Sequence, residues 1–154
     1  MRMQKGCPMR FGHVNIVARD WRALARFYAH VFACEILAPE RNLSGPVMEA
    51  GLGVAGAALQ GVHLRLPGYG DGGPTLEIYA YQPLIDLSAN VRRSGFGHIA
   101  FQVADITATR AAVVAAGGGV VGEIVTTHAG SRRVSWCYVT DPEGNAVELQ
   151  TWLD

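Results

Sequence analysis

The sequence predicts an α+β fold of two tandem βαβββ modules with curved mixed sheets, and three observations predict it. A short block is written twice, each copy is followed by a helical period, and each half closes on a strand that carries a glutamate. The block is Phe11-Gly12-His13-Val14-Asn15-Ile16-Val17 with Asp20 after it, then Phe96-Gly97-His98-Ile99-Ala100-Phe101-Gln102-Val103 with Asp105 after it. One offset of 85 residues (13 to 98, 20 to 105) superposes Phe, Gly, His and Asp at once. A repeat of this kind outranks local propensity as a guide to architecture.

Taken in order, each copy of the block is a strand, because its residues are β-branched and aromatic and the run is too short for an ordinary helix. Asp20 and Asp105 stand where a helix N-cap belongs, with a carboxylate to accept from the free N–H groups of the first turn. Trp21, Leu24, Phe27, Tyr28 and Val31 then fall on one helical face. In the second half Ile106, Ala112, Val113 and Ala116 do the same, and Gly117-Gly118-Gly119 stops the helix. Further strands are expected at Ala57–Leu66, Val120–Val125 and Arg133–Val139. The closing strands are Pro74–Tyr79, with Glu77, and Asn145–Gln150, with Glu148, the second after the turn Asp141-Pro142-Glu143-Gly144. Pro39 to Gly56 has only short apolar pieces, and Gly68–Pro74 is a turn or flexible loop of the kind that carries substrate contacts.

Module 1 is expected over about residues 10–86 and module 2 over about 95–154, joined through the polar stretch Leu87 to Ser94. Residues 1–9 are expected to be a loose leader, since they are polar and lack the apolar core of a signal peptide. A chain of 154 residues suits one domain of this kind.

Composition narrows the function. Thirteen basic and thirteen acidic side chains cancel, so no global field favours nucleic acid or an anionic membrane. Arg92-Arg93 and Arg132-Arg133 are only pairs, the pattern of solvated surface. No apolar run is long enough to span a bilayer. The three cysteines, Cys7, Cys34 and Cys137, are dispersed and form no C-x-x-C pair, which fits a reducing cytoplasm and no disulfide framework. Ser131 and Ser135 lack a nucleophile elbow, and the glycine clusters match neither a dinucleotide fingerprint nor a phosphate loop. His30, His63 and His128 are expected to be structural or exposed. Tyr79, Tyr81, Trp136 and Tyr138 are sheet aromatics or pocket walls, and Arg65, Arg132 and Arg133 are surface ion pairs or holders of a substrate carboxylate.

What remains is a constellation. A histidine at the start of a strand, or a glutamate within one, is ordinarily structural when alone. Here His13 and His98 open the first strands, and Glu77 and Glu148 lie in the last. Pairing the halves about a pseudo-twofold axis brings two imidazoles and two carboxylates into one cleft. Two negative charges in a partly buried cleft are costly without a cation. A divalent ion removes that cost, and mixed N and O ligation suits Zn²⁺, Ni²⁺, Co²⁺, Mn²⁺ or Fe²⁺ better than Ca²⁺. The sheets of the two modules are therefore expected to form a metal-binding cleft.

These motifs, with Phe27-Tyr28 and Asp141-Pro142-Glu143-Gly144-Asn145 leading to Glu148-Leu149, resemble the vicinal oxygen chelate superfamily from Arg10 to Trp152. That superfamily includes glyoxalase I, methylmalonyl-CoA epimerase, extradiol dioxygenases, and fosfomycin- and bleomycin-resistance proteins. The resemblance implies that His13, Glu77, His98 and Glu148 are the metal ligands. It implies a divalent-metal-dependent lyase or isomerase of glyoxalase type, acting on a small substrate with adjacent oxygens through a metal-stabilised enediolate or enolate. Glu148 is then the first candidate for the proton-shuttling carboxylate and Glu77 the second. The alternatives are an extradiol-type dioxygenase using His13, His98 and Glu148, and a ligand-binding or resistance module without turnover. Where glyoxalase I commonly has a basic residue and an Asn for glutathione, this chain has Val17 and Tyr81. Where the epimerases carry an extra glutamate, it has Val62-His63-Leu64. A homodimer is expected, because open sheets have edges to cover.

Overall fold

The computed structural model describes residues 9–90 and 92–153. The expected leader lies almost wholly outside the described residues, as does Cys7. Module 1 runs β1 (His13–Val17), α1 (Trp21–Phe32), β2 (Glu35–Leu43), α2 (Pro46–Leu52), β3 (Ala58–Arg65) and β4 (Thr75–Gln82). Module 2 runs β5 (Ile99–Gln102), α3 (Ile106–Ala115), β6 (Gly119–Val120), β7 (Val125–Ala129), β8 (Arg132–Thr140) and β9 (Ala146–Leu153). The first sheet has the order β1-β4-β3-β2 and the second β5-β9-β8-β6, with β7 also paired to β8. In each sheet the opening strand runs parallel to the closing strand and lies at an edge, and the remaining pairs are antiparallel. The α+β class and the two mixed sheets are as the sequence predicts.

Both expected caps are present. Asp20 accepts from the Ala23 N–H at 2.9 Å, and Asp105 accepts from the Ala108 N–H at 2.9 Å. Each satisfies one of the donors a helix start leaves open, an effect worth about 1 kcal/mol. The expected face of α1 buries Trp21, Leu24, Phe27 and Tyr28 over Val62, Leu64, Leu76 and Ile78 of the first sheet. Its last residue, Phe32, stacks on Phe101 of β5 with centroids 4.2 Å apart. One apolar core therefore runs through both modules, with Val113, Cys137, Val139, Val147 and Leu149 on the module 2 side. Burying one such aromatic contributes about 1.5–3 kcal/mol, which makes the α1–β5 contact a substantial tie between the halves.

Two segments differ from expectation. Residues 35–43, partly assigned to a loose region, form edge strand β2, and Pro46 begins α2. No residue of β2 is buried, so it lacks the alternation that marks a strand, and its edge position tolerates Pro39. Val120–Val125 is not one strand but β6, a break around Gly122, and the start of β7. All five residues of β7 are exposed, so hydrophobic patterning carries no trace of it. No helix among the described residues is long and apolar enough to cross a membrane.

Candidate metal centre

Strand register decides which side chains meet. In the first sheet Glu77 lies opposite Asn15 on one side and His63 on the other, with His13 two residues before Asn15. Alternation turns Leu76 and Ile78 into the core, so Glu77 faces the other way with Tyr79 and Tyr81. In the second sheet Glu148 lies opposite Ala100 and Tyr138, and His98 immediately precedes β5. Val147 and Leu149 are fully buried, so Glu148 also faces away from the core.

The result is a histidine–glutamate pair in each half. His13 Nε2 lies 3.4 Å from Glu77 Oε2, and His98 Nε2 lies 2.9 Å from Glu148 Oε2. Both carboxylates are sheltered, Glu77 at 15% and Glu148 at 14% side-chain exposure. The surroundings differ. The other oxygen of Glu77, Oε1, faces His63 Nε2 at 3.0 Å, and the same nitrogen is 3.0 Å from the Tyr79 hydroxyl. The other oxygen of Glu148 accepts from Gln150 Nε2 at 2.9 Å. The His98 ring meets Tyr138 edge-on at 5.0 Å, and Tyr138 in turn meets Trp136 at 5.7 Å.

Burial lowers the His63 pKa, with the Glu77 charge opposing the shift, so the neutral ring is favoured. Burial, assisted by the facing glutamates, raises the Tyr79 and Tyr138 phenols. Both phenols therefore stay protonated. Burial pushes the Cys34 thiol up to about 12 and raises Cys137, which leaves both buried and inert.

Glycine 61 makes the Tyr79 position possible. It lies opposite Tyr79, and a Cβ there would run into the Ile78 carbonyl and lie 2.5 Å from Tyr79 Cδ1. The bare backbone lets the Tyr79 ring cross the strand toward His63.

Donor spacing tests the fit to a metal. Two ligands at about 2.1 Å from an ion and at right angles stand about 3.0 Å apart. The His13–Glu77 and His98–Glu148 separations bracket that value, so each half carries a pair of donors suited to adjacent ligand positions. The two pairs are not gathered into one group: among the described residues, no three His, Cys, Asp or Glu side chains are placed to hold one ion. His13 and His98 nonetheless line the same cleft of about 850 Å³, together with Phe11, Ile85, Leu87 and Phe96.

A second set of contacts sets the two modules against each other. Both Glu143 carboxylate oxygens accept from module 1, from the Arg19 and Asp20 backbone N–H groups, at 2.8 Å each. Buried Asp141 accepts from the Tyr28 hydroxyl of α1 at 2.9 Å. The Asp141–Asn145 turn thus grips the junction of β1 and α1, directly after the strand that His13 opens.

Of the other residues singled out from sequence, His30 and His128 are exposed. Arg65 pairs with Glu35 and with Asp71, and the Arg132 guanidinium lies over the Trp152 ring. His63, expected to be structural, stands against Glu77. Its signal was present in the hairpin: 63 and 77 are equidistant from Gly70 in the β3–β4 connection.

Paired mixed sheets with matched imidazole–carboxylate pairs define a class of two-module α+β proteins. Within it, the chain belongs to the Glyoxalase/Bleomycin resistance protein/Dioxygenase superfamily, whose family model matches residues 10–149. A glyoxalase family protein from Bacillus cereus is similar in structure, with TM-score 0.81 and 22% identity over 99% of this chain and 100% of that one. A glyoxylase/bleomycin resistance protein/dioxygenase domain from Frankia sp. EAN1pec gives 0.63 and 17% over 96% and 100%. A family enzyme from Burkholderia phytofirmans PsJN gives 0.59 and 17% over 92% and 98%. No curated protein matches the chain in sequence.

Proposed function

We propose that the protein is a divalent-metal-dependent lyase or isomerase of glyoxalase type, acting on a small substrate with adjacent oxygens. The observation that carries this is the repeated histidine–glutamate pair, at 3.4 Å in one half and 2.9 Å in the other. His13, Glu77, His98 and Glu148 would hold the ion. A bound ion of this kind acts as a Lewis acid on substrate oxygens and acidifies the neighbouring C–H.

Glu148 is the proton-transfer base. One of its oxygens is held by Gln150, which steadies the carboxylate without supplying a charge. Glu77 is flanked by two imidazoles, a setting that suits ligation more than proton transfer. The Tyr138 ring, itself against Trp136, packs edge-on to the His98 imidazole on the module 2 side.

The site is completed by a second copy of the chain. Among the described residues strands β1 and β5 are unpaired on one edge, and exposed Phe96 (95%) and Ile85 (82%), with Phe11 and Leu87, line the cleft beside them. Exposed apolar groups in such number beside open edges favour association. In this arrangement His13 and Glu77 of one chain face His98 and Glu148 of the partner subunit.

The test is proton exchange. Protein loaded with Zn²⁺, Ni²⁺ or Co²⁺ is incubated in D₂O with methylglyoxal, with and without glutathione, and with small hydroxyketones. Deuterium incorporation at the carbon next to the carbonyl, lost in Glu148→Gln, is expected. Absence of exchange in every case, or oxygen uptake with catechols on Fe²⁺ loading, would overturn the proposal.

A further inference from the structure

The first sheet carries a cation that the metal pairs do not use. Arg41 lies on β2 opposite Gly61, in the cross-strand row that continues to Tyr79. The register of β2 on β3 shifts between Leu37, opposite His63, and Arg41. That shift inserts two extra residues into β2, so Arg41 stands where Pro39 would stand in a straight ladder. Because the insertion is even, Arg41 keeps to the face of Leu37, His63 and Glu77. Diagonal neighbours on adjacent strands are about 7–8 Å apart, within reach of a long side chain, and His63 is such a neighbour of Arg41. The Arg41 charge is felt at both the His63 ring and the Tyr79 hydroxyl.

Arg41 is also unneutralised. Arg19 pairs with Asp86 and Glu143, Arg22 with Glu40, and Arg65 with Glu35 and Asp71. Among the described residues the Arg41 side chain has neither an ion pair nor a hydrogen bond, and it is exposed. Gly61 beside it contributes no side chain, and the Tyr79 ring packs over the place a Cβ would take. Charge accounting gives the sign of the ligand. A divalent ion held by Glu77 and Glu148 would offset both carboxylates, and the Arg41 charge beside them would then be left for a ligand to match. A neutral substrate would leave it unmatched.

We propose that Arg41 binds the carboxylate of a monoanionic substrate, so that this site takes small 2-oxo or 2-hydroxy carboxylates in preference to uncharged diols or ketols. This rests on the proposed function for the identity of the site. A guanidinium presents two parallel N–H donors that match a carboxylate. The adjacent oxygen of the same molecule then points along the sheet toward His63 and Glu77.

The test compares lactate with propane-1,2-diol, which share a skeleton and an oxygen pair and differ in charge. Binding is followed on the full chain, with and without Zn²⁺, by the ¹⁵N–¹H signals of the His63 ring, assigned with His63→Gln. Lactate is expected to saturate the shift at least about tenfold more tightly than the diol, and Arg41→Gln to weaken lactate by about tenfold or more. Arg41→Lys should fall between, and Arg65→Gln should match wild type. Equal affinity for lactate and diol, lactate binding unchanged in Arg41→Gln and Arg41→Lys, or no saturable lactate binding would each overturn the proposal. An Arg41-dependent preference on zinc-free protein supports it even if wild type takes up no zinc, a result that overturns the metal-dependent function instead.

Discussion

Replacing Asp141 with alanine tests how the two modules are held. Asp141 is 1% exposed and accepts four hydrogen bonds: Tyr28 Oη at 2.9 Å, Glu143 N at 2.9 Å, Asn145 N at 3.0 Å and Asn145 Nδ2 at 2.8 Å. Each donor left buried without an acceptor costs about 1–3 kcal/mol. Some of the four reach water once the side chain is gone, so a loss of about 3–5 kcal/mol is expected, a large share of the ~5–15 kcal/mol that stabilises an ordinary domain. Tyr28→Phe removes one donor and leaves three, and should cost about 1–2 kcal/mol. Urea unfolding monitored by circular dichroism measures both, and the double variant measures their coupling. If Asp141→Ala lies within 1 kcal/mol of wild type, or if the two changes add without coupling, the turn does not carry the load assigned to it. The consequence reaches the site, because Glu143 in the same turn grips the backbone that follows β1.

The same carboxyl sets a pH dependence: burial raises the Asp141 pKa against the opposing pull of its hydrogen bonds, so the folded state holds this proton more tightly than the unfolded chain. Its contribution is fully present below the ordinary aspartate value and is lost as pH rises through the elevated folded value; unfolding free energies in Asp141→Asn should lack that decline. Gly61→Ala should destabilise by about 1–3 kcal/mol through overpacking, and should release the Tyr79 ring from His63, visible as a changed tyrosine signal in the near-ultraviolet. For the proposed dimer, mixing His13→Ala chains with Glu148→Gln chains should regenerate roughly a quarter of the sites, since half the random pairs are mixed and one site of two is intact. Recovery of no metal binding on mixing would place both pairs within one chain. Phe96→Asp should shift sedimentation toward monomer, and an unchanged profile would remove Phe96 from the interface.

Much of this architecture is legible in the sequence, for physical reasons that also explain what is not. His13, Glu77, His98 and Glu148 stand out because each lies in or beside a strand with strong apolar alternation, and because the strands recur. The N-caps Asp20 and Asp105 are local and need no knowledge of tertiary structure. Strand β2 is hidden, since an edge strand with no buried residue has no pattern to display. Strand β7 is hidden for the same reason. The partners of Glu77 depend on hairpin register, which makes His63 an ordinary strand residue until β3 and β4 are folded together. Arg41 is least legible, because its place opposite Gly61, one step from His63, follows from a two-residue irregularity in β2. The tie from Glu143 to Arg19 joins residues more than a hundred positions apart, and nothing local announces it.

The central claim is a divalent ion held by one histidine–glutamate pair from each half. Purified protein supplemented with Zn²⁺, Ni²⁺ or Co²⁺ and then desalted should retain one ion per chain by elemental analysis. His13→Ala, His98→Ala, Glu77→Gln and Glu148→Gln should each fall well below that, with fold preserved by circular dichroism. Wild-type protein that retains no stoichiometric metal, or single variants that all retain it in full, would contradict the account.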